Sequence, residues 1–206
     1  MRAVTRATAL DDQTWTRERA REVAAYFDAQ ASDWDARFSG DESRLLPLDD
    51  ALRRGGPIDV ARCVDLGCGT GLAATWLEQR FDAVVGMDLS LEMLRHAPSG
   101  TRMVLADSTA LPIATASLSA VVLMNAFLFP HEVARVLAPH GVVIWISAIG
   151  ADTPIYLPPD EVAGALPGRW GGVWSEAGDG SWAVLRREDS QLTLKMRSTR
   201  REAGSP

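Results

Sequence analysis

The stretch Val64-Asp65-Leu66-Gly67-Cys68-Gly69-Thr70-Gly71-Leu72-Ala73-Ala74 decides the fold. An apolar, β-branched run ends in three alternating glycines, and a helical pattern opens behind them. That order of strand, glycine turn and helix gives a glycine fingerprint weight, because backbone without Cβ atoms admits a ligand closely. The spacing is GxGxG. A dinucleotide turn, GxGxxG, requires glycine at position 72, where Leu72 stands, so the close helix approach of a pyrophosphate site is lost. The phosphate reading of the loop is thereby weakened.

Downstream the same rhythm continues. Residues 83–88 predict a strand and 90–97 a short helix that Ser90 can cap. Residues 103–106 predict a strand ending at Asp107, and 118–124 another. Val133, Val136 and Leu137 mark the next helix, and 142–146 a fifth strand. Strands alternating with helices at this spacing pair in parallel through right-handed crossovers, giving an α/β sheet covered on both faces. Beyond Ser147 the pattern changes. Residues 158–166 predict a helix, and the runs 172–176 and 182–186 flank Gly178-Asp179-Gly180, a connection that favours an antiparallel hairpin at the sheet edge.

Upstream, Ala20, Val23, Ala24 and Phe27 share one helix face within residues 14–27, with further aromatics through Phe38. A second helix over 43–54 is closed by Gly55-Gly56-Pro57. The organisation expected is a helical cap over 1–56, a ligand-binding core over 57–188, and a frayed tail over 189–206. That tail holds the weakly alternating Leu192, Leu194 and Met196 and a solvated basic run from Arg197 to Arg201.

Composition narrows the function. The 206 residues are 47% hydrophobic and 23% charged, enough for one domain with a full core. The net charge of −6 provides no general attraction to nucleic acid or anionic membrane. Residues 1–21 mix Arg, Asp and Glu without an apolar core, unlike a signal peptide, and the apolar run 120–130 is too short to span a bilayer. The cysteines, Cys63 and Cys68, flank one strand end, so a disulfide framework is implausible and a reduced, cytoplasmic setting is expected.

Acidic residues mark three successive strands. Asp88 is positioned to accept both hydrogens of a ribose diol, since a carboxylate offers two oxygens and only accepts, and it would repel a 2′-phosphate. Asp107 can accept from the exocyclic amine of adenine. Asp65 can brace the glycine turn or attract a cation.

VDLGCGTG, then GMDLSLEML, LADSTALP and EVARVLAPHGVVIWIS, in that order, resemble the class I S-adenosylmethionine-dependent methyltransferases. The resemblance runs from Cys63 to Ser147. It implies a doubly wound, mostly parallel seven-stranded sheet of order 3-2-1-4-5-7-6 with the last strand antiparallel, helices on both faces and an N-terminal helical cap. It implies S-adenosylmethionine as cofactor and S-adenosylhomocysteine as product, with Asp88 on the ribose, Asp107 on the adenine amine and the loop Gly67, Cys68, Gly69 and Gly71 on the methionyl part. Asp65, Leu89, Ala106, Ser108 and Asn125 complete the expected cofactor contacts. Cys68 reads as a small residue tolerated by a tight turn, not a nucleophile.

On the acceptor side several readings stay open. Asn125 ends the fourth strand, where amino methyltransferases of nucleic acids and glutamine begin an Asn/Asp-Pro-Pro-aromatic motif. Here Ala126, Phe127, Leu128, Phe129 and Pro130 follow without the paired prolines, which argues against those substrates. Asn125 either shapes the pocket or caps a loop. Phe127 and Phe129 either pack the core or wall the acceptor. His131 is a base candidate that also sits at a helix start, and His96 and His140 lack metal-ligand company. Tyr26 and Trp34 resemble the cap that many small-molecule methyltransferases fold over the cofactor, although plain packing explains them equally, and Tyr156 faces the same choice. The function expected is methyl transfer to a small, largely apolar metabolite by a monomer or homodimer. Methylation of RNA or protein and non-catalytic cofactor binding are the alternatives, and a nucleotide-dependent oxidoreductase comes last.

Overall fold

The computed structural model describes residues 1–38 and 42–188. Seven strands form one sheet: β1 (Arg62–Leu66), β2 (Ala83–Asp88), β3 (Met103–Leu105), β4 (Leu118–Met124), β5 (Leu137–Ser147), β6 (Trp170–Ala177) and β7 (Gly180–Arg187). Their order is β3-β2-β1-β4-β5-β7-β6, and β7 runs antiparallel to both neighbours while the pairs among β1 to β5 are parallel. This is the sheet that the resemblance implied. The chain lays β2 and β3 on one side of β1, then crosses to place β4 on the other. That reversal between β1 and β4 opens a crevice at their carboxyl ends.

The helices are α1 (Arg2–Leu10), α2 (Arg17–Asp28), α3 (Ala31–Phe38), α4 (Leu46–Arg54), α5 (Leu72–Leu77), α6 (Leu91–Arg95), α7 (Pro130–Val136) and α8 (Pro159–Ala165). Central strands carry apolar side chains on both faces, as a sheet buried on both sides demands. Val121, Leu123, Val143 and Trp145 pack with Val133 and Val136 of α7 and Val162 of α8. The alternate residues Ala120, Val122, Val142 and Ile144 pack with Leu48 and Ala51 of α4 and Ala73, Ala74 and Leu77 of α5. Thus α4 covers the sheet although it lies before residue 56, α1 packs by α8, and α2 and α3 are the helices left for the crevice side. Trp182, fully buried on β7, donates its indole N–H to Asp50 Oδ2 at 2.8 Å and so ties α4 down.

Several expectations need correction. Leu137 belongs to β5 rather than to the preceding helix: it adopts extended backbone after Val136 and pairs with Leu118. A register shift follows before Ala120 meets Val142, because Pro139 within the Ala138-Pro139-His140-Gly141 run cannot donate to the ladder. Trp174 is 58% exposed on β6, the edge strand of the sheet. A helix at Arg2–Leu10 was not foreseen, since its buried residues are Thr5, Thr8 and Ala9 and not large apolar ones. The hairpin does form, and the positive φ of its first turn residue falls on Gly178. The expected fraying of 189–206 lies outside the described residues.

Candidate functional site

The glycine turn is built by different constraints at successive positions. Gly67 has φ +68°, and a Cβ there would stand 2.6 Å from the Cβ of Ala126, so the ends of β1 and β4 could not close together. Gly69 has φ +55° but faces open space, with only Trp34 Nε1 within 4 Å, and its N–H donates to Asp88 Oδ2 at 2.8 Å. The turn is therefore clamped from β2.

Asp88 is clamped in return. Its Oδ1 accepts from Ser90 N–H at 2.8 Å, and Ser90 caps α6 through Met93 N–H at 3.1 Å. Burial raises the Asp88 carboxyl above its usual range, and the amides of Ser90, Gly69 and Leu89 oppose that rise. Each Asp88 oxygen keeps a lone pair for a further donor. Asp65 is more extreme. Its side chain is buried, Oδ2 has no hydrogen-bond partner, and its carboxyl is pushed up to about 8, first by desolvation and then by the Asp88 charge. A buried carboxylate oxygen without a donor is costly, so this position calls for a cation or an N–H group.

Asp107 follows β3. Its Oδ1 accepts from Thr109 N–H at 3.0 Å and Thr109 Oγ at 2.9 Å, and its Oδ2 accepts from the indole N–H of Trp15 at 3.2 Å. Asn125 has φ +54°, its N–H donates to Ile146 carbonyl at 3.0 Å, and its Oδ1 accepts from Ala148 N–H at 2.9 Å. The side chain thus fastens the end of β4 to the chain beyond β5.

These groups open on a single cavity of about 440 Å³ between the sheet ends and the N-terminal helices. Asp65, Gly67, Cys68, Gly69, Asp88, Leu89, Asp107, Ser108 and Asn125 line it, as do Tyr26, Trp34, Phe127 and Phe129. Ala106, Gly71, Tyr156 and His131 do not. Gly71 is the N-cap of α5, Ala106 donates its N–H to Asp88 carbonyl, and Tyr156 leaves the lining to its neighbour Ile155. His131 stands exposed on the first turn of α7, turned away from the chamber. The Cys68 thiol is raised by burial and by Asp65 and Asp88, so it stays protonated and poorly nucleophilic.

The cap is an aromatic roof with polar fastenings. Tyr26 and Phe27 meet edge to face at 5.3 Å, and Phe27 and Trp34 at 5.9 Å. Asp28 Oδ1 accepts from Ser90 Oγ at 2.5 Å and from Glu92 N–H at 3.2 Å. Asp35 Oδ1 accepts from Thr70 Oγ, inside the glycine turn, at 2.6 Å. Trp15, Asp28 and Asp35 escaped the sequence reading. The one available signal was Trp15 itself, a large aromatic just before the helix-capping Thr16.

Residues 64–145 match the family model described as a methyltransferase domain. The malonyl-[acyl-carrier protein] O-methyltransferase 1 of Coxiella burnetii (strain RSA 493 / Nine Mile phase I) is 36% identical over 119 residues, 53% of this chain and 40% of that protein's length. The chain therefore spans less than half of that curated relative in the match. Among solved structures, DhpI in complex with S-adenosylhomocysteine superposes with a TM-score of 0.62 at 20% identity, covering 82% of this chain and 96% of that one. The [4+2]-cyclase SpnF superposes with a TM-score of 0.64 at 13% identity over 82% and 96%. Residues 64–145 thus resemble a methyltransferase domain, and the fold is that of the methyltransferases among the solved structures.

Proposed function

We propose that the protein transfers a methyl group from S-adenosylmethionine to a small acceptor with a largely apolar body. One observation carries this reading. Three acidic residues at the ends of β1, β2 and β3 open on a cavity whose facing wall carries the aromatics Trp15, Tyr26, Phe27 and Trp34 together with Arg37 and Arg44. The buried, partnerless Oδ2 of Asp65 suits the ammonium of a methionyl group, the free lone pairs of Asp88 suit a ribose diol, and Asp107 suits an adenine amine. A cationic cofactor fits such an acidic set, and a pyrophosphate does not.

When bound, the cofactor supplies a methyl group on a sulfonium, whose C–S bonding pair returns to sulfur as the acceptor's lone pair forms the new bond. The chain's part is to hold, orient and dry the reactants. Orientation of this kind is worth up to about 7–11 kcal/mol, and the aromatic roof keeps water from the crevice. The described lining includes no His, Lys or Glu, and this reading gives Asp65, Asp88 and Asp107 to the cofactor, so the acceptor brings its own lone pair, as a carboxylate oxygen does at neutral pH. The Coxiella relative, named as a malonyl-[acyl-carrier protein] O-methyltransferase, supports an oxygen acceptor but names an acyl group carried on a protein.

Isothermal titration with S-adenosylhomocysteine tests the cofactor assignment, and micromolar protein showing no heat of binding would remove it. Asp88→Ala strips the acceptor from Gly69 and Ser90 as well as from the ribose. It should weaken binding by about 1.5–3 kcal/mol, while Asp88→Asn, which keeps one acceptor oxygen, should lose less. Incubating methyl-labelled cofactor with size-fractionated cell extract tests the acceptor. Label in the small-molecule fraction is expected, and label confined to protein or RNA would overturn that part.

A further inference from the structure

Trp15 joins the two halves of the cavity. It sits between two locally fixed turns: Thr14 N–H and Oγ both bond Asp11 carbonyl, at 3.1 and 2.8 Å, and Thr16 Oγ caps α2 by accepting from Arg19 N–H at 3.2 Å. The backbone around the indole is thus held before any ligand arrives. The ring meets Phe129 edge to face at 5.1 Å and Phe127 at a tilt at 5.5 Å, and all three line the cavity. The indole N–H reaches Asp107 Oδ2.

The state of that carboxylate matters. Thr109 consumes Oδ1 with two donors and thereby sets the rotamer, so Oδ2 is the oxygen left for a ligand. Trp15 uses one of its two lone-pair directions and leaves the other. The residue so placed belongs to the cap, not to the sheet.

We propose that Trp15 is a positioning residue of the cofactor site: its indole N–H and the adenine amine share Asp107 Oδ2, and its ring extends the Phe127–Phe129 wall over the nucleoside. This rests on the S-adenosylmethionine reading of the crevice. By filling one lone pair of Oδ2, the indole N–H holds the carboxylate with its other lone pair towards the crevice, so the adenine amine meets an acceptor that is already oriented. Cofactor binding and cap closure then reinforce each other through a single oxygen.

The experiment is a two-by-two titration of the full chain. Wild type and Trp15→Phe, which keeps an aromatic ring but removes the N–H, are each titrated calorimetrically. The ligands are S-adenosylhomocysteine and its purine analogue, in which hydrogen replaces the exocyclic amine. Sharing predicts that Trp15→Phe weakens S-adenosylhomocysteine roughly 10-fold, within the usual range of coupling between two contacts, and weakens the analogue several-fold less. Tighter S-adenosylhomocysteine binding in Trp15→Phe would overturn the proposal, because the indole would then be competing for the adenine position. Equal losses for both ligands would overturn it too, reducing Trp15 to a packing residue. Trp15→Tyr, with a phenol donor on a smaller ring, should recover part of the difference between the two ligands if the donor is what counts, and none if it is not. Absence of binding by wild type to either ligand would instead overturn the cofactor reading itself.

Discussion

At the scale of single residues, Asp65 shows how a site stores unfavourable energy until a ligand arrives. Its folded carboxyl is pushed up to about 8 from an ordinary value of 3.8. Below the lower value both folded and unfolded chains hold the proton. Between the two the folded chain keeps a proton that the unfolded chain has released, so stability falls as pH rises, and the loss is complete above about 8. Asp65→Asn removes this titration while retaining an oxygen for the Ala74 amide. The ligand-free variant should melt higher than wild type at pH 8.5, with a gap that narrows towards pH 4, yet bind S-adenosylhomocysteine more weakly at every pH. Parallel melting curves across that range would show that Asp65 ionises freely in the folded chain. The trade of stability for binding is the usual one at a functional site.

Between elements, the glycine turn is where two strands and a helix are forced together. Gly67 satisfies a left-handed backbone and a close approach to Ala126 at once. Gly67→Ala should therefore cost about 1–2 kcal/mol for the conformation alone, and more for displacing the end of β4. Adding Ala126→Gly should return the packing part and leave the conformational part, as read from urea unfolding midpoints. Full recovery in the double variant would mean that the backbone adjusts without strain. The elements also mark what was legible in the sequence. Strands β2 and β4 match their predicted bounds because their apolar and β-branched runs end abruptly in turn residues. The start of β5 was missed because the helical pattern of Val133 and Val136 runs into Leu137 without a break, and only pairing with Leu118 assigns that residue to the sheet. Tyr156 and His131 sit close to the cavity along the chain, but their backbones turn the side chains elsewhere, which spacing does not reveal.

On the scale of the molecule, the cavity belongs to neither the sheet nor the cap. It exists because α2 and α3 are fastened across the carboxyl ends of the strands by a few polar contacts. Among these, Asp28 serves two donors at the start of α6. Asp28→Ala should raise amide exchange across residues 17–38 by roughly 5–30-fold, the equivalent of 1–2 kcal/mol. Exchange in β4 and β5, whose side chains form the buried centre, should stay unchanged. Uniform acceleration throughout the chain would mean that cap and sheet open as one unit. Among the described residues no helix is long and apolar enough to cross a membrane.

Local order was written in the chain itself. Alternating apolar runs, the GxGxG turn and the acids at the ends of β1, β2 and β3 specify a parallel sheet and a ligand crevice, because each depends on backbone geometry and near neighbours. What covers the crevice was decided only in three dimensions. Trp15 reaches Asp107 and Asp35 reaches Thr70 across 92 and 35 positions of sequence. Such contacts leave no periodic trace, since a hydrogen bond between distant segments constrains one donor and one acceptor and nothing around them.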